Sequence, residues 1–171
     1  YDAQLYLGHQ LIGRSGSPDS LRRSGLNSVG VALAALGLPG KSIETFANGA
    51  DDPESRLFAD MWAVVPAALG LEGFDGRGPG AALRLAEVVD DFHADSLRRA
   101  RAAWALALAA ADAGDDRAFE RRMAEVEALS PPDRLGTGRL TTLLYGLEAA
   151  RRSDWDGALA ILSLIHISEP T

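Results

Sequence analysis

The stretch that decides the fold is DSLRRARAAWALALAAADAGDDRAFERRMAEVEALSPP, residues 95–132. Asp95 and Ser96 suit a helix start, because their side chains accept hydrogen bonds from the first backbone N–H groups. A stripe of apolar residues with helical spacing follows at Ala103, Leu106, Ala107 and Ala110. Gly114 and Asp115 then indicate a turn. A second apolar stripe follows at Phe119, Met123 and Val126. The run Ser130–Pro132 indicates the end of this second helix. The stretch therefore predicts two helices joined by a short turn.

Three other stretches repeat this helix–turn–helix arrangement. The residues that define the first are Leu26, Val29, Gly30, Leu33, Gly37, Pro39, Ser42 and Phe46. The second is defined by Asp51, Asp52, Pro53, Trp62, Ala63, Pro66 and Gly70, with a glycine-rich connection at 72–80 and a helix at about 81–92. The last is defined by Thr137, Gly138, Tyr145, Gly146, Ala149, Ser153, Trp155 and Ala158. Since no alternating β-branched run bounded by turns occurs, the sequence predicts an all-α fold.

Proline and glycine set the expected helix ends. Gly37 and Pro39 are expected to stop the first helix of the first pair. Pro53 suits the first turn of a helix, where its missing N–H costs nothing. Pro66 falls inside a predicted helix and is expected to kink it.

The first helix of each pair carries a small residue, at Gly30, Ala63, Ala107 and Gly146. This pattern of small residues resembles that of the tetratricopeptide repeat. Ser42 and Ala158 are small residues on second helices, whereas Phe119 departs from the family pattern there. The resemblance implies antiparallel helix pairs stacked as a tetratricopeptide-like α–α superhelix, an irregular solenoid because the connections differ in length. The repeat positions it implies are Gly30, Phe46, Trp62, Ala63, Ala107, Gly114, Phe119, Gly146, Trp155 and Ala158. Among them, Trp155 stands in the register of a buried repeat aromatic residue.

The resemblance also divides the chain. Residues 18–161 are expected to form the repeat domain, about four helix pairs with the last one truncated, and 1–17 to be a helix left from a preceding repeat. The segment 162–171, LSLIHISEPT, resembles a translated sequencing adapter. We therefore expect the natural protein to be interrupted near Ile161, and we give His166 and Glu169 no functional weight.

Composition excludes several classes of function. The 171-residue chain has a net charge of −7, which disfavours nucleic acid and anionic membranes as partners. It has no cysteine, so disulfides and thiolate metal sites are excluded. No apolar run approaches the roughly 20 residues that span a bilayer. We expect a cytoplasmic protein without a cofactor.

One motif suggests an alternative function. Residues Ala35–Ser42, ALGLPGKS, fit a relaxed phosphate-binding loop in which Gly40, Lys41 and Ser42 would contact a nucleotide and its magnesium ion. Such a loop follows a strand and precedes a helix. The same residues also fit a helix–turn–helix in the repeat pattern.

Other polar groups give weaker indications. The glycines Gly73, Gly76, Gly78 and Gly80 precede a predicted helix and favour a flexible connector over an anion site. Neither His9 nor His93 has metal-ligand spacing with another ligand residue, and no catalytic residue is predicted. Arginine clusters suited either to a solvated face or to binding of carboxylates and phosphates occur at Arg22–Arg23, Arg98–Arg99 with Arg101, Arg121–Arg122 and Arg151–Arg152.

The favoured function is a binding module. Irregular, alanine-rich repeats of this kind resemble the helical sensor arm of large bacterial transcriptional regulators and signalling proteins. The resemblance implies a protein or peptide partner, or a small effector, in the groove of the superhelix. The alternatives are the nucleotide-binding domain built on Lys41 and a structural spacer inside a larger regulator.

Overall fold

The computed structural model describes residues 2–13, 19–48, 53–68, 78–129 and 137–167. Within these ranges there are helices and turns but no strand, which confirms the predicted all-α class. In chain order the helices are α1 (Asp2–Gly13), α2 (Asp19–Ala35), α3 (Pro39–Ala47), α4 (Pro53–Ala68), α5 (Gly78–Asp90), α6 (Ser96–Asp112), α7 (Asp116–Leu129), α8 (Thr137–Arg151) and α9 (Trp155–Ile167). None of these helices is long and apolar enough to cross a membrane.

The chain divides into two compact units, residues 1–85 and 86–171, and α5 contributes to both. Unit 1 contains α1–α4 and the first part of α5. Its buried apolar side chains are Leu26, Val29, Ala32, Phe46, Leu57, Met61, Ala63, Val64, Val65, Ala81 and Leu85. Unit 2 contains the rest of α5 and α6–α9. Its buried apolar side chains are Val89, Ala100, Ala102, Ala103, Ala105, Ala107, Leu108, Phe119, Val126, Leu144 and Ala158.

In unit 1, glycines allow helix backbones to come into contact. A Cβ atom on Gly25 would lie 2.8 Å from the carbonyl oxygen of Gly8, so α1 and α2 cross where neither has a side chain. A Cβ atom on Gly30 would lie 2.4 Å from the ring of Phe46, which is fully buried. The Ser42 hydroxyl donates a hydrogen bond of 2.7 Å to the carbonyl oxygen of Gly30. The ring and the hydroxyl together fix α3 against α2.

In unit 2, side-chain caps and left-handed residues set the helix ends. Asp95 accepts hydrogen bonds from the N–H groups of Leu97 and Arg98 and so begins α6. The turn between α6 and α7 contains Gly114 at φ +69°, a conformation that glycine adopts without strain. Asp154 accepts a hydrogen bond from the Gly157 N–H and caps α9.

Trp155 is the clearest departure from the expected repeat positions. The pattern predicts a buried aromatic residue, but the side chain is 65% exposed. Trp155 is the first residue of α9, and helical side chains tilt toward the amino terminus of their helix. The indole therefore extends beyond the helix end into solvent, whereas Ala158, one turn later, is buried.

Two prolines lie where the sequence places them, and one helix boundary differs from expectation. The helix α2 ends at Ala35, before Gly37 and Pro39 as expected, and Pro39 then begins α3, because a proline in the first turn lacks only an N–H that the helix does not use. The helix α4 continues through the position of Pro66 to Ala68. The helix α5 begins at Gly78 and ends at Asp90, so Phe92 lies in a turn and is 85% exposed. Expectations at Asp51, Asp52, Gly70, Gly73, Gly76, Ser130–Pro132 and Glu169 concern residues outside the described ranges.

Candidate interaction groove on α8

Two adjoining cavities lie against α8 in unit 2, each of about 370 Å³. The cavity between α8 and α9 is lined by Thr142, Tyr145, Ala149, Asp154 and Ile161. The cavity beside the start of α7 is lined by Gly114, Asp116, Phe119, Glu120 and Arg151. Glu148 and Arg152 line both cavities. We call this continuous surface the α8 groove.

The α8 groove follows from the spacing of residues on its helices. Glu148 and Arg152 are four residues apart on α8 and so lie one turn apart on one face. On α7, Asp116 and Glu120 have the same spacing in the first turns. The turn that follows α8 places Ser153 at φ +62°, which brings Asp154 to the start of α9 beside the end of α8. The start of α7, the end of α8 and the turn before α9 therefore all contribute charged side chains to one surface.

The two arginines of the groove are paired with carboxylates. The Arg152 guanidinium donates to Glu148 at 2.5 Å. Arg151 donates to Asp116, and its guanidinium carbon lies 5.0 Å from the centre of the Phe119 ring. Exposed ion pairs contribute little to stability, about 0–1 kcal/mol each. Each pair offsets the charge of an arginine of the groove with a neighbouring carboxylate.

Tyr145 connects α8 to α7. Its hydroxyl donates a hydrogen bond to Glu127, and the side chain is 41% exposed. This hydrogen bond raises the pKa of Tyr145, with further contributions from partial burial and from the negative charges of Glu127 and Glu148. The phenol therefore remains neutral and keeps its ring at one wall of the cavity between α8 and α9.

The residues of the alternative phosphate-binding loop are arranged differently from what a nucleotide site needs. The residues before the loop form α2 and not a strand, and α3 already begins at Pro39. Ser42 is buried and donates to Gly30, whereas Lys41 is exposed. The Ser42 N–H also donates within the chain, to the carbonyl oxygen of Leu38. This geometry does not favour magnesium or phosphate binding at Gly40–Ser42.

The histidines give no support for a metal site. His93 lies in the turn between α5 and α6, and its backbone N–H donates to Asp91. His9 lies on α1 beside a cavity that it lines with Gln10, Leu11 and Gly13. Among the described residues no group of three or more histidine, cysteine, aspartate or glutamate side chains is placed to hold a metal ion.

The predicted repeat positions are distributed over both units. Those buried in the structure are Gly30, Phe46, Ala63, Ala107, Phe119, Gly146 and Ala158. Trp62 is half-buried, Gly114 is exposed in its turn, and Trp155 is exposed. Sequence reasoning singled out the Arg151–Arg152 pair and gave Tyr145 only as a residue of the apolar stripe, and it missed Asp116 and Glu148. The four-residue spacing of Glu148 and Arg152 was the available signal, whereas the pairing of Arg151 with Asp116 joins two helices and has no local signal.

Comparison with protein-family models, with curated proteins and with solved structures found no match to this chain. The function must therefore be inferred from the geometry of the molecule itself. Among the described residues of unit 2, the α8 groove is a concave surface where apolar and charged side chains meet, and it is the candidate functional site.

Proposed function

We propose that this chain is a tetratricopeptide-like interaction module of a larger bacterial regulatory protein, acting in the cytoplasm. It binds a segment of a partner protein in the α8 groove. The observation that carries the proposal is the groove itself, where a cavity with mainly apolar walls adjoins a cavity lined by paired charged side chains. Binding sites for ligands combine these two elements, since apolar walls supply affinity and polar groups fix orientation.

The packing of the helices supports the repeat interpretation. In unit 1, α4 packs against both α2 and α3, the two helices of the preceding pair. In unit 2, α8 packs in the same way against both α6 and α7. Stacking of each pair on the previous one is the arrangement by which repeat proteins extend their core. The buried small residues Gly30, Ala63, Ala107 and Gly146 fit this role.

A peptide segment suits the groove better than a single small effector. The two cavities adjoin through Glu148 and Arg152, and they differ in character. Tyr145, Ala149 and Ile161 give one cavity apolar walls, while charged side chains of both signs line most of the other. A chain that presents neighbouring side chains on one face matches two adjoining cavities of different character.

The proposal is tested by selecting binders from a displayed peptide library against the full chain. Selected peptides are then measured against Tyr145→Ala, which removes one wall of the groove. Leu159→Ala is the matched control, because Leu159 is a large apolar residue that is 69% exposed on α9 and lines neither cavity. We expect affinity to fall about tenfold or more in Tyr145→Ala, since buried aromatic anchors dominate interfaces, and to be unchanged in the control. A library that yields no binder, or binders equally sensitive to both changes, would contradict the proposal.

A further inference from the structure

The α8 groove carries more negative than positive charge. Its carboxylates are Asp116, Glu120, Glu148 and Asp154, and its cations are Arg151 and Arg152. Both arginines are already paired, with Asp116 and Glu148 respectively. Neither Glu120 nor Asp154 has a cationic partner among the residues that the structure describes. Glu120 therefore has no compensating charge in its cavity, whereas the Asp154 carboxylate accepts a hydrogen bond from the Gly157 N–H at the start of α9.

The apolar part of the groove lies next to this charge. Ile161, Ala149 and the ring of Tyr145 line the cavity between α8 and α9, where Asp154 is also found. Glu120 lies in the other cavity, near the buried ring of Phe119. A ligand that fills both cavities must therefore place an apolar group in the first and a positive group near Glu120.

We infer that the segment bound by the α8 groove is basic and amphipathic, an inference that depends on the function proposed above. One aliphatic side chain enters the cavity beside Tyr145, and a lysine or arginine side chain pairs with Glu120. A helical segment presents two such side chains on one face when they are three or four residues apart. Because four carboxylates and two arginines line the cavities, and both arginines are already paired, an acidic segment meets net repulsion there.

Three model peptides of equal length test the inference by fluorescence anisotropy on the full chain. The first carries leucine and lysine on one helical face, the second has glutamate in place of lysine, and the third has serine in place of leucine. We expect the first to bind about tenfold more tightly than either of the others, and its affinity to fall with added salt, which screens exposed charges. Tight binding of the first peptide at low salt is the positive result.

Two charge-reversal variants test whether the first peptide binds at the α8 groove. Glu120→Lys is expected to weaken the first peptide about 3- to 10-fold. Glu87→Lys changes the net charge equally, but Glu87 is exposed on α5 and lines neither cavity, so binding should be unchanged. Equal losses in both variants would overturn the inference, because they would show only the effect of net charge.

The outcomes for the inference and for the proposed function are distinct. If library-selected peptides depend on Tyr145 but are neutral or acidic, or if the glutamate peptide binds as well as the lysine peptide, the inference is wrong and the proposed function stands. If no library peptide binds, both are wrong.

Discussion

The helix pairs α2–α3 and α8–α9 share a sequence pattern but place their aromatic residues differently. In α2–α3, Phe46 is fully buried near the end of its helix, and its ring lies on Gly30. In α8–α9, Trp155 is 65% exposed at the start of its helix. The small residues behave alike, since Ser42 and Ala158 are both buried. Small residues therefore set how the helices approach, whereas the burial of an aromatic residue also depends on its place along the helix.

This difference bears on function. In α2–α3 the space beside the small residue is filled by the Phe46 ring. In α8–α9 the tryptophan lies outside the contact, and a cavity remains between the two helices beside Tyr145. In α2–α3 the aromatic side chain is part of the buried core of unit 1. The α8–α9 pair leaves a cavity between its helices, where the proposed partner segment would place an apolar side chain.

The largest difference in stability is expected when each of the two aromatic side chains is removed in turn. Phe46→Ala should lower the free energy of unfolding by about 3–5 kcal/mol, because it leaves a cavity in the core of unit 1. Trp155→Ala should change it by no more than about 0.5 kcal/mol, as is usual at exposed sites. Urea unfolding followed by circular dichroism measures both variants. Similar losses in the two would show that Trp155 is buried in solution and would remove the contrast between the pairs.

A smaller effect is expected at the glycine that receives the Phe46 ring. Gly30→Ala places a Cβ atom 2.4 Å from the ring, so a helix or the ring must shift. Overpacking costs about 1–3 kcal/mol, and the better helix propensity of alanine returns up to about 1 kcal/mol of this. Gly40→Ala is the control, since a Cβ atom there meets nothing within 4 Å. We expect thermal unfolding to show a lower Tm for Gly30→Ala and an equal or higher Tm for Gly40→Ala.

Much of the fold was predictable because its signals are local. The Asp95 cap, the left-handed Gly114 and the spacing of buried residues on α6 and α7 each depend on neighbours within a few residues. Trp155 was mispredicted because its burial depends on where α9 begins, which the apolar spacing does not define. The groove was predicted only in part, since the pairing of Arg151 with Asp116 depends on how α8 packs against α7.

The buried hydroxyl in α2–α3 predicts an effect of intermediate size. Ser42→Ala removes the hydrogen bond to the carbonyl oxygen of Gly30 and should cost about 1 kcal/mol. Thr45→Ala is the control on the same helix, because its hydroxyl donates only to Lys41 within α3, at 2.8 Å. That change should be close to neutral. Chemical unfolding of the two variants side by side checks the expectation, which an equal effect on both would contradict.

The smallest expected effect is a change in titration at Tyr145, the aromatic residue that α8–α9 holds by a hydrogen bond. The bond to Glu127 raises the pKa of Tyr145 above its ordinary value of 10.0 in the folded chain. Since the protonated phenol is favoured on folding, its contribution to stability is complete below pH 10 and is lost as the pH rises through the raised pKa. The difference in ultraviolet absorbance between the wild type and Tyr145→Phe isolates this tyrosine among the three in the chain. Glu127→Gln removes the negative charge, so it should move the Tyr145 titration to lower pH while the hydroxyl keeps an acceptor. An unchanged titration in Glu127→Gln would mean that the link between α7 and α8 does not form in solution, and that the Tyr145 wall of the α8 groove is not held by it.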